Sequence, residues 1–270
     1  MVGTLVSRLF GASIRALLVG VLLAMTLSTM PDVSAAAADG FGLFIIVICG
    51  FVLVEYGFSQ PALLEFRFAN PYNRWRFFTL ILIMLSFVIL CGNVVTPTPV
   101  NRCFMWLGEA AAKVLGFGYS PSVIMHGLLE GEVTQKASEM IIPMASLGYF
   151  IAIFSIGLFA VFVFWTRWPA NGTLFHFWSN LPNFQTVQPE NASNRLKQVA
   201  VLSLGMAVIL PYALPAFLKS FSDILPISSF VSDFTLFWII AVITWLPVAC
   251  GMRGIALLKV SRMIRQDMMS

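Results

Sequence analysis

The sixteen Lys and Arg residues of this chain fall mainly in the segments that separate long apolar runs. Each run contains about 20 residues, which is the length that a helix needs to cross the hydrocarbon core of a bilayer. Backbone groups in lipid have to form hydrogen bonds within their own segment, so these runs are predicted to be helices. Hydrophobic residues make up 59% of the chain and charged residues only 10%, which excludes an ordinary soluble domain. The sequence therefore predicts an all-α, polytopic transmembrane helical bundle.

We predict six spans, at residues 12–30, 41–58, 77–95, 140–165, 198–218 and 233–251. The first span belongs to a segment over 1–40, the others form the bundle over 41–251, and a basic tail follows over 252–270. Twelve of the sixteen cations lie in the connectors and tails on one side of this arrangement. Because Lys and Arg accumulate on the cytoplasmic side, both termini are predicted to be cytoplasmic. The compact connectors and the signal-like N-terminus favour a bacterial inner membrane.

The N-terminal segment fits two interpretations. Arg8 and Arg15 precede the apolar stretch Ala16–Leu27, and a run of small residues follows over Ser34–Ala38. This is the layout of a first transmembrane helix, and it is also the layout of a secretory signal peptide. Retention gives six spans, whereas cleavage within residues 1–38 leaves five.

The connectors on the predicted cytoplasmic side mix aromatic and cationic side chains. Such side chains anchor a protein in the headgroup layer and contact anionic lipids, and they also suit contact with another membrane protein. Nucleic acid is not an expected partner, because the cations follow the membrane topology. The candidate contact residues come from the connector 59–76, the aromatic loop 166–197 and the tail: Arg67, Arg74, Trp75, Arg76, Phe175, Phe177, Trp178, Arg262 and Arg265.

The opposite, outer connector over 96–139 is predicted to contain two amphipathic helices. In the first, Phe104, Leu107, Ala111 and Val114 are spaced to share one apolar face. The second is predicted to start at Ser120-Pro121, an N-cap followed by proline at the first helical position.

No catalytic constellation is recognisable in the sequence. His126 is predicted on the outer side and His176 on the inner side, so the two histidines cannot share a metal ion. Cys91 and Cys103 can both reach the outer face, where they either pair or remain free thiols. We expect no catalytic residue, metal or cofactor. The favoured interpretation is a non-catalytic integral membrane protein that acts as a scaffold, an assembly factor or an accessory subunit of a membrane complex.

A transporter of a small solute or ion is the alternative function. Pro211 and Pro215 interrupt the fifth span, and each removes a backbone donor and can kink the helix. Broken helices of this kind bind ions in some transporters. Glu130, Glu132 and Glu139 would make the outer mouth of such a pathway acidic.

Overall fold

The computed structural model describes residues 2–29, 33–58, 64–95, 98–129, 135–166, 168–169, 180–184, 189–222 and 233–267. Within these ranges the chain forms eight α-helices and a short 3₁₀ turn at Pro182–Phe184. The helices are α1 (Val2–Thr29), α2 (Ala35–Gly57), α3 (Tyr72–Val95), α4 (Pro99–Leu115), α5 (Pro121–Leu129), α6 (Gln135–Trp165), α7 (Pro189–Ser222) and α8 (Asp233–Asp267).

Within the described residues, six of these helices are long and apolar enough to cross a membrane. They are α1, α2, α3, α6, α7 and α8. The prediction of an all-α bundle with six spans is therefore confirmed. The protein is a multi-pass membrane protein, and α4 and α5 are the two short helices expected in the connector 96–139.

The last two spanning helices are longer than the apolar runs from which they were predicted. Helix α7 begins at Pro189 rather than at residue 198, and proline is favourable in a first turn. Helix α8 continues through residue 251 to Asp267, so most of the basic tail is helical. The reason is packing, since Met252, Ala256 and Leu257 are fully buried along this extension.

The chain divides into two compact units. The first, called here the hairpin unit, comprises residues 1–73 and 169–188. Its helices α1 and α2 run antiparallel, with Leu9 beside Gly57 and Gly20 beside Cys49. The thiol of Cys49 donates a hydrogen bond to the carbonyl of Ala16 at 3.3 Å. Helix α2 starts at an N-cap, because the Ser34 hydroxyl accepts a hydrogen bond from the Ala37 amide.

The second, called here the bundle unit, comprises residues 74–168 and 189–270. Helix α8 packs against both α6 and α7 in this unit. Glycines permit the closest approaches: a Cβ at Gly254 would lie 2.7 Å from Leu204 Cγ. A Cβ at Gly148 would lie 2.9 Å from Thr244 Cγ2. Small residues let membrane helices approach closely, and here they set the helix crossings.

The two short helices α4 and α5 are held by local capping and by α6. Thr98 and Asn101 form a reciprocal capping box at the start of α4. The buried face of α4 contains Gly108, which lets the helix approach Pro143 of α6. Of the residues predicted to share the apolar face of α4, Ala111 is buried and Val114 is 71% exposed.

The predicted start of α5 is confirmed. The helix begins at Pro121, and the Ser120 hydroxyl accepts a hydrogen bond from the Val123 amide at 3.4 Å. The hydroxyl of Ser146 then donates to that of Ser122 at 3.0 Å, which ties α5 to α6. These buried hydroxyl groups satisfy one another where little water is present.

Candidate functional site

The candidate site lies at one end of the bundle unit, where α3 and α7 begin and α6 and α8 end. We call it the basic end. The hydroxyl of Ser193 on α7 donates to the carbonyl of Ser261 on α8 at 3.0 Å, and the Ser261 hydroxyl donates back to the Ser193 carbonyl at 2.8 Å. The guanidinium of Arg262 on α8 lies 5.3 Å from the ring centre of Phe164 on α6. These contacts bring the start of α7 beside the ends of α6 and α8. Helix α7 therefore runs antiparallel to α6 and α8, as the order of the connectors predicts.

Eight cations of the described helices gather at the basic end. Two belong to α3, two to α7 and four to α8: Arg74, Arg76, Arg195, Lys197, Arg253, Lys259, Arg262 and Arg265. Of the predicted contact residues, Arg74, Arg262 and Arg265 are exposed there. They are available to a partner or to lipid, and their contact role stays a prediction.

Trp75 is engaged inside the bundle unit. Its ring stacks on Phe162, with centroids 5.7 Å apart and planes inclined by 25°. It also lies 6.0 Å from the ring of Phe159, which meets the fully buried Trp168 edge-on. Aromatic pairs at such distances stabilise beyond the area they bury. The half-buried Trp75 therefore joins an internal aromatic cluster.

Two arginines and their partners form a smaller group within the basic end, which we call the arginine site. The guanidinium of Arg76 lies 5.7 Å from the ring centre of Trp245. Nη1 of Arg253 donates to the Ser203 hydroxyl at 3.3 Å. Both arginines are charged neighbours of the half-buried Cys250 of α8. The arginine site, defined by Arg76, Ser203, Trp245 and Arg253, thus joins α3, α7 and α8.

Arg67 has a different environment, in the hairpin unit. Its Nη2 donates hydrogen bonds to the carbonyls of Tyr56 and Phe58, at 2.7 and 2.8 Å. The guanidinium therefore caps the C-terminus of α2, where orphan carbonyls and the helix dipole favour a cation. Burial lowers the pKa of Arg67 from its usual value, while Glu55 and Tyr56 act in the opposite direction.

The connector around Arg67 is folded onto the end of α2. Oε1 of Glu55 accepts a hydrogen bond from the Leu64 amide at 2.8 Å. The amides of Phe66 and Phe68 donate to the backbone carbonyl and the side-chain oxygen of Asn180, at 2.7 and 3.0 Å. Asn180 was not singled out by the sequence, because its partners are more than a hundred positions away.

The remaining predicted residues are placed as follows. Phe175, Phe177 and Trp178 lie outside the described residues, as do Glu130 and Glu132. Pro211 and Pro215 are buried inside α7, and α7 remains helical through both. Cys103 is an exposed free thiol, so no disulfide joins it to Cys91.

The other candidate chemistry is sparse. The ring nitrogen Nε2 of His126 shares a hydrogen bond with the Ser138 hydroxyl at 3.1 Å, while His176 lies outside the described residues. Within the described ranges, no three His, Cys, Asp or Glu side chains gather as metal ligands would. No protein-family model, curated protein or solved structure matches the chain.

Proposed function

We propose that this protein is a non-catalytic component of a membrane complex in a bacterial inner membrane, where it acts as a scaffold, an assembly factor or an accessory subunit. The basic end would face the cytoplasm and provide the contact surface. The main support is the paired extension of α7 and α8 beyond the length that a bilayer requires.

The length of these two helices supports such a surface. They contain 34 and 35 residues, which corresponds to about 50 Å each. A hydrocarbon core is about 30 Å thick, so about 20 Å of both helices would project from it. The reciprocal contacts between Ser193 and Ser261 hold this projection together, and its surface exposes cations. A rigid, charged pair of helices is suited to steer and hold an acidic partner.

Photo-crosslinking from the projection tests the proposal. A photoreactive residue is placed at Lys197, which is exposed on α7, and at Lys113, which is exposed on the outer helix α4. We expect an adduct of one constant mass from position 197, absent from position 113. Deleting the gene should then impair assembly of the complex that contains the captured protein.

Charge reversal provides the matched control. Arg195→Glu combined with Lys197→Glu should abolish co-purification of the captured protein in mild detergent, whereas Lys113→Glu should leave it unchanged. A monomer that yields no reproducible adduct and no reproducible partner would contradict the proposal.

Transport remains the alternative function. Its support is the position of Pro211 and Pro215, which are both buried in a spanning helix. Against it, α7 stays helical through both prolines, without the unwound segment that binds ions in broken helices. Pro211→Ala and Pro215→Ala in a vesicle flux assay discriminate the two functions. Flux that depends on these prolines would support the transport function. The absence of flux in the native protein would exclude that function.

A further inference from the structure

We propose that the arginine site binds the phosphate group of an anionic membrane lipid from the cytoplasmic leaflet. The proposal rests on the membrane orientation given above, but it does not need a protein partner. The two proposals can therefore fail separately.

The depth of the arginine site supports a headgroup ligand. Counting from Asp233, where α8 begins, Arg253 lies about 30 Å along the helix axis. Counting back from Val95 and Ser222, where α3 and α7 end, Arg76 and Ser203 lie at nearly the same distance. This is the thickness of the hydrocarbon core. Helices α3, α7 and α8 therefore place Arg76, Ser203 and Arg253 at the level of the lipid phosphates.

The groups of the site suit a phosphate. The guanidinium groups of Arg76 and Arg253 present several N–H donors, and Ser203 adds a hydroxyl. Trp245 lies about 12 Å deeper along α8 than Arg253, and its ring packs against the Arg76 guanidinium. A phosphate oxygen is a strong acceptor for charged N–H donors. The site offers donors from three helices to one anionic ligand.

The charges on the neighbouring helices also favour an anion. On α7 the carboxylate nearest in sequence to Ser203 is Glu190, and on α8 the one nearest to Arg253 is Asp267. Each is about 20 Å away along its helix. Helix α3 contains no carboxylate at all. Helices α3 and α8 therefore place arginines in the headgroup layer, and α3, α7 and α8 place no carboxylate next to them in sequence.

The arginine site differs from the exposed cations of the basic end. Arg262 and Arg265 are exposed on α8 and can attract any anionic surface. Arg76 and Arg253 are half-buried, and contacts with Trp245 and Ser203 hold them in place. Preorganised donors lose less entropy on binding, so this site should retain individual lipids.

The test measures lipid retention on the full-length protein. Purified protein in mild detergent is titrated with phosphatidylglycerol or with zwitterionic phosphatidylethanolamine, and native mass spectrometry counts the bound lipids. We expect selective retention of phosphatidylglycerol. Arg76→Gln and Arg253→Gln should each weaken it about fivefold to tenfold, while Arg262→Gln and Arg265→Gln change it less than about twofold.

Three further measurements guard against misfolding and against a different source of phosphate. Ser203→Ala removes only the hydroxyl that holds Arg253 and should weaken retention about twofold. In a protein whose other three cysteines are replaced by serine, phosphatidylglycerol should slow maleimide labelling of Cys250, and phosphatidylethanolamine should not. Excess inorganic phosphate should leave the lipid bound.

Each opposite result would overturn the proposal. Equal losses for Arg262→Gln and Arg253→Gln would mean that the lipid is attracted by the exposed surface charge as a whole. Both lipids carry a phosphate, so equal retention of the two would mean that the net negative charge of an anionic headgroup is not recognised. If inorganic phosphate displaced the bound phosphatidylglycerol, the arginine site would be a site for soluble phosphate rather than for a lipid. The crosslink from position 197 tests the contact surface independently, because Lys197 is not part of the arginine site.

Discussion

Helix α2 of the hairpin unit and helix α8 of the bundle unit are both apolar enough to span a membrane, but their surroundings differ. In the most apolar stretch of α2 no residue is buried, whereas 61% of the corresponding stretch of α8 is buried. Apolarity alone therefore does not decide which helix is covered by protein. Lipid tails are as apolar as leucine, so hydrophobicity drives insertion and contributes little to helix association.

Close backbone approach and specific polar contacts account for the difference. Gly254 of α8 lies against Ala200 and Leu204 of α7, whereas no heavy atom would lie within 4 Å of a Cβ at Gly50 of α2. The polar contacts of α2 include the Cys49 thiol, which donates to the Ala16 carbonyl of α1, and the last carbonyls, which Arg67 binds. Helix α8 packs against two helices of the bundle unit, whereas α2 packs against α1.

The largest expected effect comes from filling the two glycine positions. A Cβ at Gly254 would lie 2.9 Å from the backbone oxygen of Ala200, so Gly254→Leu has to separate α7 from α8. We expect a loss of about 3 kcal/mol in the free energy of unfolding. Gly50→Leu, which meets open space, should cost nothing. Denaturation in detergent, followed by circular dichroism, measures both, and equal losses would erase the distinction between the helices.

The next effect compares an aromatic side chain from each unit. Trp75→Ala removes a ring that stacks on Phe162 and should lower the free energy of unfolding by about 2 kcal/mol. Phe68 of the hairpin unit is 55% exposed, so Phe68→Ala should cost less than about 0.5 kcal/mol. If Trp75→Ala leaves the unfolding curve unchanged, its ring serves an external contact rather than the internal cluster.

The spans could be predicted because each rests on a local property. A run of about 20 apolar residues predicts a helix. The cations at its ends predict its direction across the membrane, which stays a prediction. The start of α5 at Ser120-Pro121 could also be predicted, since capping involves residues that are neighbours in the sequence. The end of α8 was not, because Met252, Ala256 and Leu257 are buried by packing rather than by lipid.

The roles of individual cations could not be predicted for a related reason. Arg67, Arg74 and Arg76 stand within ten residues of each other and look alike in the sequence. In the structure Arg67 caps a helix, Arg74 is exposed, and Arg76 lies over Trp245. The partner of Arg76 is more than 160 positions away, and no local pattern encodes such a contact.

A smaller effect tests whether the end of α2 is held by Arg67. Arg67→Met removes two hydrogen bonds to the carbonyls of Tyr56 and Phe58. For a half-buried cation at a helix C-terminus we expect a local loss of about 1 kcal/mol. Hydrogen exchange of the last turn of α2 should accelerate about fivefold. Arg74→Met removes the same charge from an exposed position and should leave this exchange unchanged; acceleration by both variants would indicate an effect of net charge.

The smallest expected effect concerns the serine pair that joins α7 to α8. A neutral hydrogen bond contributes about 0.5–1 kcal/mol to stability, so Ser193→Ala and Ser261→Ala should each cost about that amount. Because each hydroxyl bonds to the other residue's carbonyl, both variants weaken one shared contact. The double variant should then lose less than the sum of the single losses. Ser220→Ala is the matched control, since its hydroxyl bonds to Ala216 in its own helix. Strict additivity would mean that the two serines act independently, and that the projecting ends of α7 and α8 are held by their apolar contacts alone.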